Sequence, residues 1–505
     1  MTAPFVMGID IGTSSVRALV YDAEAMPVDE LGHHLAYSID VDAHGSATID
    51  ADRLKDLVFE VLDQTEEQLA RAGLEIHTVG TSCFWHSLLL LDQTRKPITP
   101  VLLWADTRAS GTANEMSERF DQTRLRNRTG AGLYPSYWPA KLEWLAQTHP
   151  DVLRRVRYAV SFADYLSLWL HNSLCVGVSM ASGTGLLNIA ACRWDEYACS
   201  LLRSEFRGTF SPVSDDAYPI LVPALRNRWR HMAEARWFPA IGDGACSNVG
   251  VGGGGPKRCV ITVGTSAAVR TVVDQPTTRR NTLHPRIKSK ALWNYRVDAR
   301  RGLVGGALSE GGNLMAWLEA NLQLPDLDQA EEQIAHRVPD AGNLTVLPFI
   351  AGERSPDWNG NARAVISGLH LGSSPLDILQ ACAESVAYQL RLIFDLLVDH
   401  LGPPKTVIAA GAALAQSPMW VQILTNVLET PVVVTEFAES SSRGAAALAL
   451  ESLGLLDITE MRILPQHEFL PIGPFEPYRL ARRRQQELNA RVFGAESPVS
   501  SRGAS

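Results

Sequence analysis

The chain has 505 residues, 46% of them hydrophobic and 20% charged, which is enough apolar material for at least two separate cores. A net charge of −9 argues against a nucleic-acid binder, and no apolar run is long enough to cross a bilayer. The seven cysteines are scattered, odd in number and without a CxxC pair, so they read as buried thiols of a reducing cytoplasm.

The first residues, MTAPFVMGID, enter a strand directly and carry no signal-peptide pattern. Phe5 to Ile11 and Val16 to Tyr21 are short, apolar and β-prone. Between them Gly12, Thr13, Ser14 and Ser15 form a tight turn, whose backbone N–H groups and hydroxyls suit a phosphate. Asp10, just before the turn, is placed to hold a hydrated Mg²⁺ beside such a phosphate. Alternating residues over 34–49 predict further strands, and Asp50 caps a helix running to about Ala72. Ile76 to Ser82 is the next strand. At its C-terminal end, where open α/β sheets bind ligands, it presents Cys83, Phe84, Trp85, His86 and Ser87. His86 fits either a substrate hydroxyl or the role of a satisfied strand-end histidine. Strands over 88–92 and 101–104 lead to Asp106 and Arg108, an acceptor and a fork of donors that suit a polyol or a local ion pair equally.

Helices are expected from about Ala109 to Leu170, and a loop-rich stretch from there to about Ile241. Asp243 then stands between Gly242 and Gly244, glycines that let the backbone approach closely and leave the carboxylate unshielded. The pattern is either an Asp-Gly turn or a carboxylate able to take a proton from an alcohol attacking a γ-phosphate. Four glycines at 252–255 predict a turn. Residues 259–274, CVITVGTSAAVRTVVD, repeat the first hairpin, with Gly264, Thr265 and Ser266 matching Gly12, Thr13 and Ser14. Two such hairpins half a chain apart indicate a duplicated architecture, although turn chemistry alone also selects these residue types. Thr262 occupies the place of Asp10, so only the first copy is expected to handle metal. Helices over 312–322 and 376–401 follow, then a strand at 406–410, a helix at 419–428, a strand at 432–435 and a small-residue helix at 443–453. The Arg-rich helix over 479–491 reads as a solvated face, and residues 497–505 as a disordered tail.

In combination and in order, these motifs resemble the FGGY carbohydrate kinases, relatives of glycerol kinase and xylulokinase, from about residue 6 to about residue 475. The strings are GIDIGTSSVRA (8–18), WADTR (104–108), GDG (242–244), VGTSAAV (263–269), GERSPDWNGNAR (352–363), AAGAALAQSPMWVQILTNVL (409–428) and ESSSRGAAALA (439–449). The resemblance implies an α/β fold of duplicated actin-like ATPase (ribonuclease H-like) domains flanking a catalytic cleft. Residues 1–245 would bind sugar and carry the first phosphate hairpin. Residues 246–480 would bind nucleotide and carry the second, with 481–505 a terminal helix and tail.

By position, the resemblance implies that Asp243 is the catalytic base and touches substrate together with Trp85, His86, Asp106 and Arg108. Thr13, Ser14, Ser15 and Arg17 would border the nucleotide phosphates, with Asp10 near Mg²⁺. Gly264 and Thr265 would meet phosphate from the second domain, and Gly312, Gly411 and Ala412 would line the nucleoside pocket. Trp85 replaces the family's usual Met, and Ala415 stands where glycerol kinase has an adenine-contacting Asn. ATP and Mg²⁺ are the implied cofactors and a small sugar or sugar acid the partner, with neither nucleic acid nor membrane. The location would be cytoplasmic, and a homodimer is compatible with the resemblance.

Bacterial gluconokinases share FWHSLLLLD (84–92), VSMASGTGLLNIAACRWDE (178–196) and GTSAAVRTVVDQP (264–276) most fully. Xylulokinases share the His and the Trp-x-Asp-x-Arg pattern. The expected reaction is transfer of the ATP γ-phosphoryl group to a primary hydroxyl of an open-chain sugar acid or ketose. D-Gluconate is the first choice and D-xylulose the alternative. A chaperone-like actin-fold ATPase is the different-class alternative, and it would need a partner-binding module that the sequence does not display. No basic partner for a gluconate carboxylate is legible.

Overall fold

The computed structural model describes residues 4–203, 206–278, 290–435 and 439–494; the tail expected at 497–505 lies outside them. Its first sheet is built from β1 (Phe5–Ile11), β2 (Ser15–Tyr21), β3 (Pro27–Ala36), β4 (Ile76–Cys83), β5 (Arg236–Trp237) and β6 (Ile241–Gly242). The order is β3-β2-β1-β4, with β5 and β6 side by side along the far edge of β4. The first three strands are antiparallel neighbours, whereas β4, β5 and β6 run parallel to β1. Asp50 accepts the Arg53 N–H and caps helix α1 (Ala51–Ala72), which packs on β2 and β3.

The second sheet comprises β7 (Arg258–Val263), β8 (Ala267–Asp274), β9 (Trp293–Arg296), β10 (Arg301–Leu308), β11 (Thr406–Ala410), β12 (Val432–Thr435) and β13 (Pro465–Phe469). Their order is β9-β10-β8-β7-β11-β12-β13. Within it, β10-β8-β7-β11-β12 repeats the sense and order of β3-β2-β1-β4-β6. The repetition seen in two turns therefore extends to whole sheets, the duplicated actin-like arrangement. The turns are not identical, however. Four residues separate the last pair Ile11–Val16 of the first hairpin, but three separate Val263–Ala267 of the second.

The halves are interlocked where helix α2 (Asp243–Asn248) meets α5 (Ser440–Ser452), while α3 (Gly312–Asn321) and α4 (Pro375–Leu401) pack within the second half. Helix α4 fills the second core, where Val386, Ala387 and Ile393 join Val269 and Val304. Helix α5, although late in the chain, lies on β1 and β4 of the first sheet. The approach is close enough that a Cβ added at Gly8 or Gly80 would come within 2.1 Å or 2.0 Å of a helix carbonyl. Its buried Arg443 donates to the carbonyls of Ala25 (2.8 Å) and Gly250 (2.6 Å), so one side chain ties three distant segments together.

Several local expectations change. The helical region after Ala109 contains a strand, Tyr158–Val160, and the stretch after it carries short helices at Val178–Ser182 and Pro223–Arg228. The glycine run does not begin as a turn. Val249–Gly253 continues α2 as a wide helical turn, broken where Gly252 takes φ 88°. Helix Leu327–Ala335 was not anticipated, although Leu327, Ala330 and Ile334 fall at helical spacing; of these Ala330 and Ile334 are buried. Among the described residues no helix is long and apolar enough to cross a membrane.

Candidate active site

The parallel register sets the first group of residues. Asp10 pairs with Ser82 on β4, and Ser82 pairs in turn with Ile241 on β6, so Asp10 and Asp243 emerge on either side of the end of β4. Ser82 Oγ donates to Asp10 Oδ1 at 2.7 Å. Burial pushes the Asp10 carboxyl up to about 6, the Ser82 hydrogen bond opposes that rise, and the charge of Asp243 adds to it. Asp243 is the first residue of α2 and is half-buried, which replaces the simple Asp-Gly turn. Its Oδ1 accepts the Gly244 N–H at 2.8 Å. Burial raises its pKa, while the Gly244 N–H and the nearby Arg270 guanidinium favour the charged form. Among the described residues it forms no ion pair.

The glycines flanking Asp243 have a different purpose from unshielding it. A Cβ at Gly242 would lie 1.8 Å from Trp85 Cε2, and one at Gly244 would lie 2.8 Å from Trp85 Cζ3. The indole thus occupies the space that side chains would take, and Gly183 leaves room on another edge, where a Cβ would lie 2.4 Å from Cδ1. Trp85 Nε1 donates to the Ser179 carbonyl at 3.0 Å, and the residue is 6% exposed, so it is a wall of the site.

His86 follows with φ 68°, a left-handed conformation uncommon for a residue with a Cβ. Lys141 holds it there. This buried side chain donates to the carbonyls of His86 (2.8 Å), Leu103 (2.8 Å) and Leu102 (3.2 Å), which takes up all three donors of an ammonium group. His86 Nδ1 faces the Gly183 carbonyl, an acceptor only, so Nδ1 carries the hydrogen and Nε2 is left as an acceptor. Burial, with help from Arg354 and Lys141, lowers the imidazole to about 3 and keeps it neutral. The ring stands edge-on to Tyr137 (5.2 Å) and Tyr295 (5.6 Å), whose hydroxyls are bonded to each other.

Asp106 and Arg108 are paired with one another, with Arg108 Nε 3.0 Å from Asp106 Oδ1 and the guanidinium 4.5 Å over the Trp144 ring. The local ion pair therefore exists. It adjoins the site through Leu103, whose carbonyl accepts from both Asp106 N and Lys141 Nζ. Arg17 is ion-paired with Glu439, just ahead of α5. Thr13 and Ser14 are half-buried and exposed, and among the described residues no protein group bonds their hydroxyls; Ser15 is buried at the start of β2.

A second group gathers where β7, β8 and β11 end. The Gly264 carbonyl accepts the Gly312 N–H (2.7 Å), and the Thr265 carbonyl accepts the Asn313 N–H (3.2 Å), so the second turn rests on the start of α3. Gly411, with φ 97°, ends β11 so tightly that a Cβ would sit 2.4 Å from the Val263 carbonyl. Ala412 and Ala415 behind it are exposed, as is Thr265. Strand β8 connects the two groups: it leaves the second turn and carries Arg270 to within 3.5 Å of a Cβ added at Gly244.

The sequence reading missed Ser82, Tyr137, Lys141, Arg270 and Tyr295. Only Arg270 carried a signal, as a charge inside an otherwise apolar strand. Asp10 fits the partly hydrated binding of Mg²⁺, because its buried carboxylate stands beside a second one and gains from a cation. Among the described residues no cluster of three or more such ligands supplies a closed metal cage.

Two family models match the chain, the N-terminal domain of the FGGY family of carbohydrate kinases over residues 5–216 and the C-terminal domain over residues 259–453. The gluconokinase of Bacillus subtilis is 26% identical over 470 residues, spanning 90% of this chain and 88% of that protein. The gluconate kinase structure from Lactobacillus acidophilus superposes with a TM-score of 0.85 at 24% identity, covering 97% of this chain and 98% of its own. The ligand-bound xylulose kinase of the same organism gives 0.87 at 24%, covering 98% and 99%. At these identities the superpositions speak for the fold.

Proposed function

The chain belongs to the FGGY family of carbohydrate kinases, ATP-dependent sugar phosphotransferases, and on that premise we propose that its substrate is D-gluconate, phosphorylated on the primary hydroxyl to give 6-phosphogluconate. The observation that carries the reading is Asp243: a half-buried carboxylate without an ion pair among the described residues, walled by Trp85 and backed by the strand that leaves the second turn. In this reading the sugar lies along His86 and the tyrosine pair, and its reacting hydroxyl faces Asp243.

Asp243 accepts the proton as the hydroxyl oxygen attacks the γ-phosphorus in line, and ADP leaves. His86 Nε2, held neutral, accepts a hydrogen bond from a second hydroxyl and orients the chain. Asp106 and Arg108 bear on the same end through the Leu103 backbone. Thr13, Ser14 and Ser15 border the phosphates from the first sheet, Arg17 adds charge beside them, and Gly264 and Thr265 approach from the second. Gly312, Gly411 and Ala412 line the nucleoside. Mg²⁺, held through Asp10, supplies neutralisation of phosphate charge. Closure of the halves about a boundary near residue 245 keeps water from the phosphoryl group. The seven cysteines, all unpaired, suit a reducing cytoplasm.

D-Xylulose is the second reading, favoured by the xylulose kinase superposition. Phosphorus–proton correlation NMR of the product tests the proposal. A phosphate coupled to a terminal CH₂ of gluconate supports it. Phosphate on a secondary carbon, or none transferred to gluconate, overturns it.

A further inference from the structure

Beside the site stand two guanidinium groups with which, among the described residues, no protein group pairs: Arg270 on β8 and Arg354 in the loop that follows the short strand Thr345–Leu347. Neither donates a hydrogen bond from its side chain or forms an ion pair, and the Nε of each is buried without a partner. An arginine left in this way is costly unless a ligand completes it, because a desolvated donor gains nothing from the protein. Both are held in place by backbone. Arg270 lies opposite Gly305 in the β8–β10 register, and a Cβ there would meet its Cγ at 3.2 Å. Arg354 precedes Ser355, whose N–H donates to the Ala307 carbonyl (2.9 Å) and whose Oγ accepts the Ala307 N–H (3.2 Å), fixing the loop to the end of β10.

The two stand near different groups of the site. Arg270 adjoins Gly244, next to Asp243, where phosphoryl transfer is proposed. The charge of Arg354 acts on His86, Tyr134 and Tyr137, while Tyr295 feels both guanidinium groups and Arg354 also acts on Arg270. Its loop also returns Trp358 against Tyr134, with ring centres 5.3 Å apart. The acid that acts on it, Glu310, forms no ion pair with it and instead accepts the Ala351 N–H at 3.2 Å.

We propose that Arg354 binds the carboxylate of an open-chain sugar acid and is the residue that selects an aldonate over a neutral ketose or polyol. The inference rests on the kinase reading above. In an aldonate the carboxylate is the terminus farthest from the primary hydroxyl, so a chain whose hydroxyl reaches Asp243 puts its charge at the Arg354 end. A fork of N–H donors matches a carboxylate in two parallel hydrogen bonds. A protein of net charge −9 offers an anion no long-range attraction, so a local cation is what the substrate requires.

The test compares D-gluconate with D-glucitol, its analogue without the carboxylate, in the wild type, Arg354→Gln and Arg354→Lys, each checked by melting temperature and ATP binding. The wild type is expected to prefer gluconate by at least about 100-fold in kcat/KM, two hydrogen bonds to a charged group supplying that factor. Arg354→Gln should reduce the preference below about tenfold by lowering kcat/KM for gluconate far more than for glucitol, and Arg354→Lys should fall between. If the wild type turns over gluconate and Arg354→Gln keeps the preference, or loses both substrates equally, the assignment of Arg354 is overturned while the gluconate reading stands. If the wild type phosphorylates xylulose but not gluconate, both fail. The wild-type comparison of gluconate with glucitol needs no variant: equal turnover of the two overturns the proposal by itself.

Discussion

Asp10 lies level with Ser82 of β4, and Asp243 follows directly on Gly242, which lies level with Cys83, so the two carboxylates stand on either side of the end of that shared strand. Two carboxylates so placed, both raised by burial, form a site that is poorer in energy empty than when it holds a cation and phosphate.

Removing that conflict should stabilise the ligand-free protein. Asp10 has its folded pKa at about 6, above the usual 3.8, so the native state holds this proton more tightly than the unfolded chain. Keeping it ionised therefore costs stability above pH 6, on the order of 3 kcal/mol at about 1.4 per unit, and the cost vanishes below about pH 4. Asp10→Asn should melt higher than wild type at pH 7.5 and equally at pH 4, while losing about 100-fold or more of its ATP turnover. A lower melting point at pH 7.5 contradicts the account.

Asp243→Asn should leave folding and ATP binding intact and reduce phosphoryl transfer by roughly two to four orders of magnitude, the scale of general-base loss. Unchanged turnover in the folded variant would remove Asp243 from the reaction.

The Trp85 wall makes a paired prediction. Gly242→Ala drives a methyl group into the indole and should cost about 1–3 kcal/mol as overpacking, shifting Asp243 with it. Adding Trp85→Met, a slimmer and more adaptable side chain, should restore most of both stability and turnover. If the double variant is no better than Gly242→Ala in denaturant melts, the close fit of these residues is not what limits the site.

His86 should not titrate in the working range. With its pKa lowered to about 3 and its Nδ1 hydrogen donated to Gly183, nitrogen-15 NMR should find Nε2 unprotonated from pH 5 to 9. A transition near 6.5 would contradict the buried, neutral assignment.

What the sequence disclosed is what local chemistry determines. The Asp50 cap, the hairpin strands around Gly12 and Gly264, and β11 and β12 depend on residues a few positions apart, and they appear where expected. Contacts between distant segments were not legible. Nothing near Gly242 announces an indole from residue 85, and nothing in the small residues of α5 says that they cover β1 and β4. The second turn looks like a copy of the first because its letters agree, yet strand pairing closes it one residue earlier. Arg354 lies inside a motif that is plain in the sequence, GERSPDWNGNAR, but its orientation follows from the bonds of Ser355 to Ala307, which only the fold supplies.

The central claim is a sugar kinase that takes a sugar acid, and the most direct measurement is sugar-dependent ADP release by the wild-type enzyme with gluconate, xylulose, ribulose and glycerol, each titrated to give kcat/KM. The account predicts that gluconate exceeds every neutral sugar by about tenfold or more, a difference of about 1.4 kcal/mol in transition-state binding. Xylulose ahead of gluconate by that factor, or ADP release indifferent to all four, would contradict it.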